Sequence, residues 1–188
     1  MKVNSEARKK KIVVSSIATI FLVMLYGIIF AFSNQEGEVS GGLSRMISEK
    51  CVAILKVLSH KNWSELMMQR MTTYFEHPIR KLAHFGEYAV MGILLFGMWY
   101  PWTGYENWQK MKEEKSVGRW RMIPLLLRIV IPWVFCSAVA DEVHQLFVPG
   151  RYGSFADVIL DTAGGCFGVF CCIFLFDRVI NKRKGKKL

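Results

Sequence analysis

Apolar residues along this chain gather into four blocks with almost nothing charged inside them. Ile12 to Phe32 has no charged side chain. Leu82 to Tyr100 has only His84 and Glu87, near its start. Ile123 to Ala140 has only Arg128, and Phe155 to Phe176 has only Asp157 and Asp161, again near its start. A helix needs about 20 apolar residues to cross the hydrocarbon core of a bilayer. Backbone in lipid must satisfy its hydrogen bonds within the segment, so blocks of this length read as helices. Between the first two blocks the pattern changes. Leu43, Met46, Ile47, Cys51, Ile54, Leu55 and Leu58 recur at helical spacing, and Leu66, Met67, Met71, Tyr74 and Phe75 form a second stripe. Asn62, with Glu65 three residues on, reads as an N-cap pair for the second of these helices, and Pro78 is expected to end it. The predicted fold is all-α, with one membrane domain over residues 1–188 and about four transmembrane helices at 12–32, 82–100, 123–140 and 155–176. Two amphipathic helices over 43–76 are expected on the outer membrane surface or over the bundle.

Charge changes this picture by orienting it. The net charge of +10 invites a nucleic-acid reading, but the basic residues sit beside the apolar blocks. Lys2, Arg8, Lys9, Lys10 and Lys11 precede the first block, and Lys110, Lys112, Lys115, Arg119 and Arg121 separate the second from the third. Arg178, Lys182, Arg183, Lys184, Lys186 and Lys187 follow the fourth. The intervening loops are poorer in Lys and Arg, with six in the 48 residues from Ser33 to Arg80 and only Arg151 between Asp141 and Ser154. That alternation follows the positive-inside pattern and places both termini in the cytoplasm of a multi-pass cell-membrane protein. The partner this implies is the lipid bilayer, not nucleic acid, and the basic tails suit anionic headgroups. The loop 101–122 mixes charges with Trp102, Tyr105, Trp108 and Trp120, as interfacial anchors do. Ala31-Phe32-Ser33 would pass as a signal-peptide cleavage site, yet 21 apolar residues exceed the usual h-region of about 7–15. Of five cysteines only Cys51 lies outside the blocks, so no disulfide framework is implied.

The informative residues are the ionisable ones at membrane depth, which are costly there and face the bundle interior. With this orientation the second block starts at the outer face, carrying Lys81, His84, Glu87 and Tyr88. The third ends there, with Asp141, Glu142, His144 and Gln145, and the fourth starts there, with Asp157 and Asp161. Three clusters thus converge at one depth. At about 100° per residue Lys81, His84, Tyr88 and Gly92 share a helix face, and so do Asp157, Asp161, Gly164 and Gly168. The Gly164/Gly168 spacing allows a neighbouring backbone to approach closely. Pro149-Gly150 is expected to make the tight turn that carries Arg151. Two carboxylates one turn apart repel unless a cation, a proton or a basic partner intervenes, and Arg151, Lys81 and His84 are the candidate partners.

Several chemistries compete for this layer. A hydrolase or transferase would use His84 or His144 as general base with a carboxylate orienting it. The candidate catalytic set is therefore Lys81, His84, Glu87, Glu142, His144, Asp157 and Asp161, with Tyr88, Asp141, Gln145 and Arg151 as candidate substrate-binding residues. A metal could use the histidines with Glu87, Asp157 and Asp161, but no ligand spacing is diagnostic, and no metal or cofactor is assigned. A structural ion-pair latch needs no chemistry. A transporter would want such residues near the midplane.

The stretches Arg80-Lys81-Leu82-Ala83-His84-Phe85-Gly86-Glu87-Tyr88, Asp141 to Arg151 and Asp157 to Gly165, together with Phe32-Ser33-Asn34-Gln35, resemble those of VanZ-like membrane proteins. The resemblance covers the first block and nearly everything from Arg80 to Phe176. The outer insert and the charged cytoplasmic loop are less typical of it. It implies a bacterial cell-envelope protein of several spans, associated through the family with low-level resistance to the glycopeptide teicoplanin. A lipid, a cell-wall precursor or a glycopeptide is the partner it suggests. The positions it carries over are Lys81, His84, Glu142, His144, Gln145, Arg151, Asp157 and Asp161.

Overall fold

The computed structural model describes residues 2–35, 37–113 and 122–185, with side chains over 5–35, 42–102 and 128–175 and at Arg178. Among the described residues all regular structure is helical: α1 Lys2–Ser33, α2 Gly37–Ser59, α3 Glu65–Glu113, α4 Met122–Gln145 and α5 Phe155–Gly185. Among the described residues three helices are long and apolar enough to cross a membrane, over Ser5–Ser33, Glu65–Trp102 and Phe155–Leu175. α4 has 24 residues, about 36 Å at ~1.5 Å per residue, and passes through the same bundle.

Contacts fix the direction of each helix. Near one end Ser15 Oγ donates to the Met98 carbonyl at 2.9 Å and accepts from Trp102 Nε1 at 2.7 Å. Near the other, Arg151 Nη2 donates to the Phe32 carbonyl at 3.4 Å. α1 and α3 are antiparallel, because Ala18 meets Gly97 and, further along α1, Tyr26 and Ile29 share a groove with Tyr88. α5 runs with α3, because a Cβ at Gly164 would collide with the Phe85 carbonyl and one at Gly168 with the Ala89 carbonyl. The spacing Gly164/Gly168 does bring a neighbouring backbone into contact, and Gly92 completes the seam by lying against the Gly165 carbonyl. α4 packs on α5 from another side, where Val134 abuts Gly165. Tyr88, Met91, Leu95, Val130, Val134 and Val169 form the buried core between them. Large apolar side chains such as Ile20, Phe21, Val23, Phe170 and Leu175 point outward, as they do on a surface solvated by lipid.

Two expectations for the insert are corrected. Pro78 does not end a helix; it lies inside α3, which runs unbroken through it and through Pro101. A proline in a helix interior costs about 3 kcal/mol or more. Here the half-buried stripe Met68, Met71, Phe75 and Ile79, with buried Thr72, runs across the proline on one face, and α2 packs against α3. That packing offsets the local cost, and the insert is a helical hairpin of α2 with the start of α3. The cap is also different. Ser64 caps α3, its Oγ accepting from Met67 N–H at 3.3 Å and its carbonyl from Met68 N–H at 3.0 Å. Asn62 lies too far ahead of the first helical residue, Glu65, to serve. The expected aromatic anchors Tyr105, Trp108 and Trp120 fall outside the described side chains.

Candidate functional site

At the bundle end where α1 and α4 finish and α5 begins, the chain makes a sharp return. Arg151 N–H donates to the Val148 carbonyl at 3.2 Å, and Gly150 has φ 73°. Proline second and a left-handed glycine third are what a type II turn requires. Ser154 then starts α5, its carbonyl accepting from the amides of Asp157 (3.0 Å) and Val158 (3.2 Å). Glu142 Oε2 accepts from the Ser154 amide at 2.7 Å, tying the last turn of α4 to the first of α5.

A cavity of about 330 Å³ lies at this end. α3 contributes His77, Arg80, Lys81 and His84; α4 contributes Glu142 and Gln145; the turn contributes Gly150, Arg151, Tyr152 and Ser154; α5 contributes Asp157 and Leu160. Six of the sequence candidates meet here: Lys81, His84, Glu142, Gln145, Arg151 and Asp157. Lys81 Nζ lies 2.6 Å from Asp157 Oδ1, both partly exposed. Arg80 pairs with Glu76 at 3.2 Å. His84 Nδ1 and Glu87 Oε2 are 3.7 Å apart, an ion pair only when the imidazole is protonated. Burial and the neighbouring Arg80 lower the pKa of Arg151 below its ordinary value, yet a guanidinium stays charged at any physiological pH. Arg80, Lys81 and Arg151 thus line the cavity together with Glu142 and Asp157.

Other candidates are placed differently. Asp161 is fully buried one turn below Asp157, and neither of its oxygens has a hydrogen-bond partner among the described residues. Its electrostatic neighbours are Glu142, Asp141, Asp157 and Glu87. Asp141 accepts from Gln145 Nε2 at 3.0 Å. His144 turns away from the cavity and stacks on Phe30 of α1, ring centroids 4.8 Å apart. Tyr88, Asp141 and His144 line a separate groove between α1 and α4. Among the described residues no group of three or more His, Cys, Asp or Glu is arranged to hold a metal ion.

Sequence reasoning missed His77, Tyr152 and Ser154 as lining residues and left Arg80 out of the site. His77 and Arg80 lie one turn before Lys81 and His84, so the helical face used to group the latter extends to them. Nothing in the sequence pattern singles out Tyr152 or Ser154.

No curated protein and no solved structure matches the chain. A family profile described as VanZ/LLP1 matches residues 18–176, from within α1 to within α5 and through the whole polar layer. Most of the chain is covered, and the apolar helices agree with a membrane protein, so this chain belongs to the VanZ/LLP1 family.

Proposed function

We propose that this is a cell-envelope protein that spans the membrane four times with both termini in the cytoplasm. Its polar cavity opens at the outer leaflet and binds an anionic group of a lipid or cell-wall precursor. The observation that carries the reading is the cavity itself, lined from three helices and one turn by Arg80, Lys81 and Arg151 together with Glu142 and Asp157. Guanidinium and ammonium groups bind phosphate or carboxylate through charge-assisted hydrogen bonds. The carboxylates accept from hydroxyls or amines of the same ligand. If the bound group is also transformed, His84 is the general base and Glu87 orients it, since His144 faces α1. The outward orientation follows from the basic segments of the sequence, which attach to the opposite end of the bundle. Protection against teicoplanin is carried over from the family resemblance alone.

The test is glycopeptide susceptibility of a sensitive Gram-positive host carrying wild type, Glu142→Ala or Asp161→Asn, with membrane abundance measured in parallel. Protection by wild type and none by equally abundant variants supports a working site. No protection by wild type removes the resistance function. Tyr152 is 87% exposed beside the cavity. In a background with the native cysteines replaced by serine, Tyr152→Cys should react with an impermeant thiol reagent added outside, and labelling only after lysis would reverse the topology.

A second reading, a non-enzymatic scaffold whose polar layer is a structural latch, is favoured by the Lys81–Asp157 and Glu142–Ser154 contacts, which are satisfied within the protein. It requires Asp157→Asn, which weakens the Lys81 contact, to lose abundance, whereas the binding reading requires Asp161→Asn to fold and fail.

A further inference from the structure

α1 and α4 run through the bundle with little direct packing between them, and a hollow of about 830 Å³ lies there. Its walls are apolar along most of their length, with Ile29 and Phe30 on one side and Ile129, Pro132 and Trp133 on the other. The two helices are bridged where Trp133 Nε1 donates to Tyr26 Oη at 2.9 Å and Tyr26 Oη shares a 2.5 Å hydrogen bond with Ser137 Oγ. The carboxylate and imidazole of the lining, Asp141 and His144, lie together at one end, while the Tyr26 and Ser137 hydroxyls sit partway along it.

That end adjoins the polar cavity. On α3, His84 lines the cavity and Tyr88, one turn on, lines the groove. On the antiparallel α4, Gln145 lines the cavity and Asp141, one turn back, lines the groove, and these two are hydrogen-bonded to each other. Both helices therefore step from cavity to groove in the same direction, away from the bundle end. From Ile129 to His144 the lining extends about 22 Å along α4 at ~1.5 Å per residue, more than the roughly 15 Å of hydrocarbon in one leaflet.

We propose that this groove seats an acyl chain of an anionic phospholipid whose headgroup occupies the polar cavity. The inference rests on the headgroup reading above and adds the lipid as its ligand. A hollow between two helices in a bilayer is bathed in hydrocarbon, and its lining matches hydrocarbon. Its volume is that of a small-molecule site. A free wall-precursor headgroup would leave the groove without a role, whereas a lipid uses both hollows at once.

The experiment uses the full-length protein in phosphatidylcholine vesicles. These contain a trace of phosphatidylglycerol carrying a diazirine at the end of one acyl chain, and cross-links are mapped by mass spectrometry. Cross-links should concentrate in the peptides holding Phe30 and Trp133 to Ala140, about tenfold above those at Phe170 and Leu175 on the outer face of α5. Ala140→Trp, a substitution at an exposed groove position, should lower the groove yield by a similar factor. Cross-links spread evenly over the lipid-facing helices, or unaffected by Ala140→Trp, overturn the proposal. Glycerol 1-phosphate separates the two readings. If it binds wild type but not Arg151→Gln while cross-links stay spread, the headgroup site stands and the groove falls. If groove cross-links are equally strong from a diazirine phosphatidylcholine and in Arg151→Gln, the anionic headgroup fails and the proposal fails with it.

Discussion

Alanine placed at Gly168 and at Gly86 should move stability in opposite directions, although both glycines sit inside long helices. At Gly168 a new Cβ would lie 2.9 Å from the Ala89 carbonyl carbon and 3.2 Å from its Cα, and would overlap the Ala89 carbonyl oxygen. Carbon atoms prefer about 3.5–4.0 Å, so α5 must move off α3 by roughly 1 Å along the seam. The obstacle is helix backbone, which cannot rotate aside as a side chain does. Overpacking of this kind costs about 3 kcal/mol, the upper part of the usual range. Replacing glycine in a helix returns about 0.5–1 kcal/mol, which leaves a net loss near 2 kcal/mol, or about 30-fold in the unfolding equilibrium. At Gly86 a Cβ meets nothing within 4 Å, so only the propensity gain of about 0.5–1 kcal/mol operates. Equilibrium unfolding in mixed micelles, followed by far-ultraviolet circular dichroism, should separate the two variants by roughly 3 kcal/mol. A Gly168→Ala protein as stable as Gly86→Ala would show that the α3–α5 seam is not closed to a methyl group, and the placement of the polar layer built on it would go too.

Lys81→Met should cost about 1–2 kcal/mol, because it strands a partly buried Asp157. Adding Asp157→Leu should restore most of that loss, which a double-mutant cycle of unfolding free energies would read directly. Gly150→Ala should cost about 1–2 kcal/mol, because its φ of 73° is left-handed; a thermal midpoint unchanged from wild type would contradict the turn. Tyr26→Phe removes the group that accepts from Trp133 and pairs with Ser137. It should cost about 1 kcal/mol and alter the near-ultraviolet circular dichroism of the tryptophans, and an unchanged spectrum would mean the bridge across α1 and α4 is not formed.

The apolar blocks were legible because membrane helices leave little choice: a long uncharged run can satisfy its backbone only as a helix. The depth of the polar layer was legible for a related reason. Once the blocks alternate in direction, Lys81, Glu142 and Asp157 must approach the same end, whatever the packing. Pro78 was misread because the stop rule is local, whereas the helix there is held by α2 along a face that only the folded hairpin creates. His144 shows a different limit. Periodicity gives its angle relative to Asp141, but not the rotation of α4 against its neighbours, and that rotation turns His144 to Phe30 and leaves Glu142 at the Ser154 amide.

Helix rotation in this bundle is set by glycines, and this links packing to the site. On α5 the acidic positions Asp157 and Asp161 and the glycines Gly164 and Gly168 lie on one face, so the contact that seats α3 against α5 also aims the carboxylates at α3. The ordered pairs Lys81 with Asp157, Phe85 with Gly164 and Ala89 with Gly168 ascend together along the two helices. Lys81 meets its partner because two glycines lower down let the backbones touch. Asp161 sits between the ion pair and the glycine contact, fully buried and without a hydrogen-bond partner among the described residues. A chain selected only for a latch would gain by replacing it with an apolar residue of similar size, since a satisfied apolar interior is at least as stable as a stranded carboxyl group. Its presence at the floor of the polar layer, beside the acidic Glu142, Asp141 and Asp157, is therefore not accounted for by packing and weighs toward the binding reading.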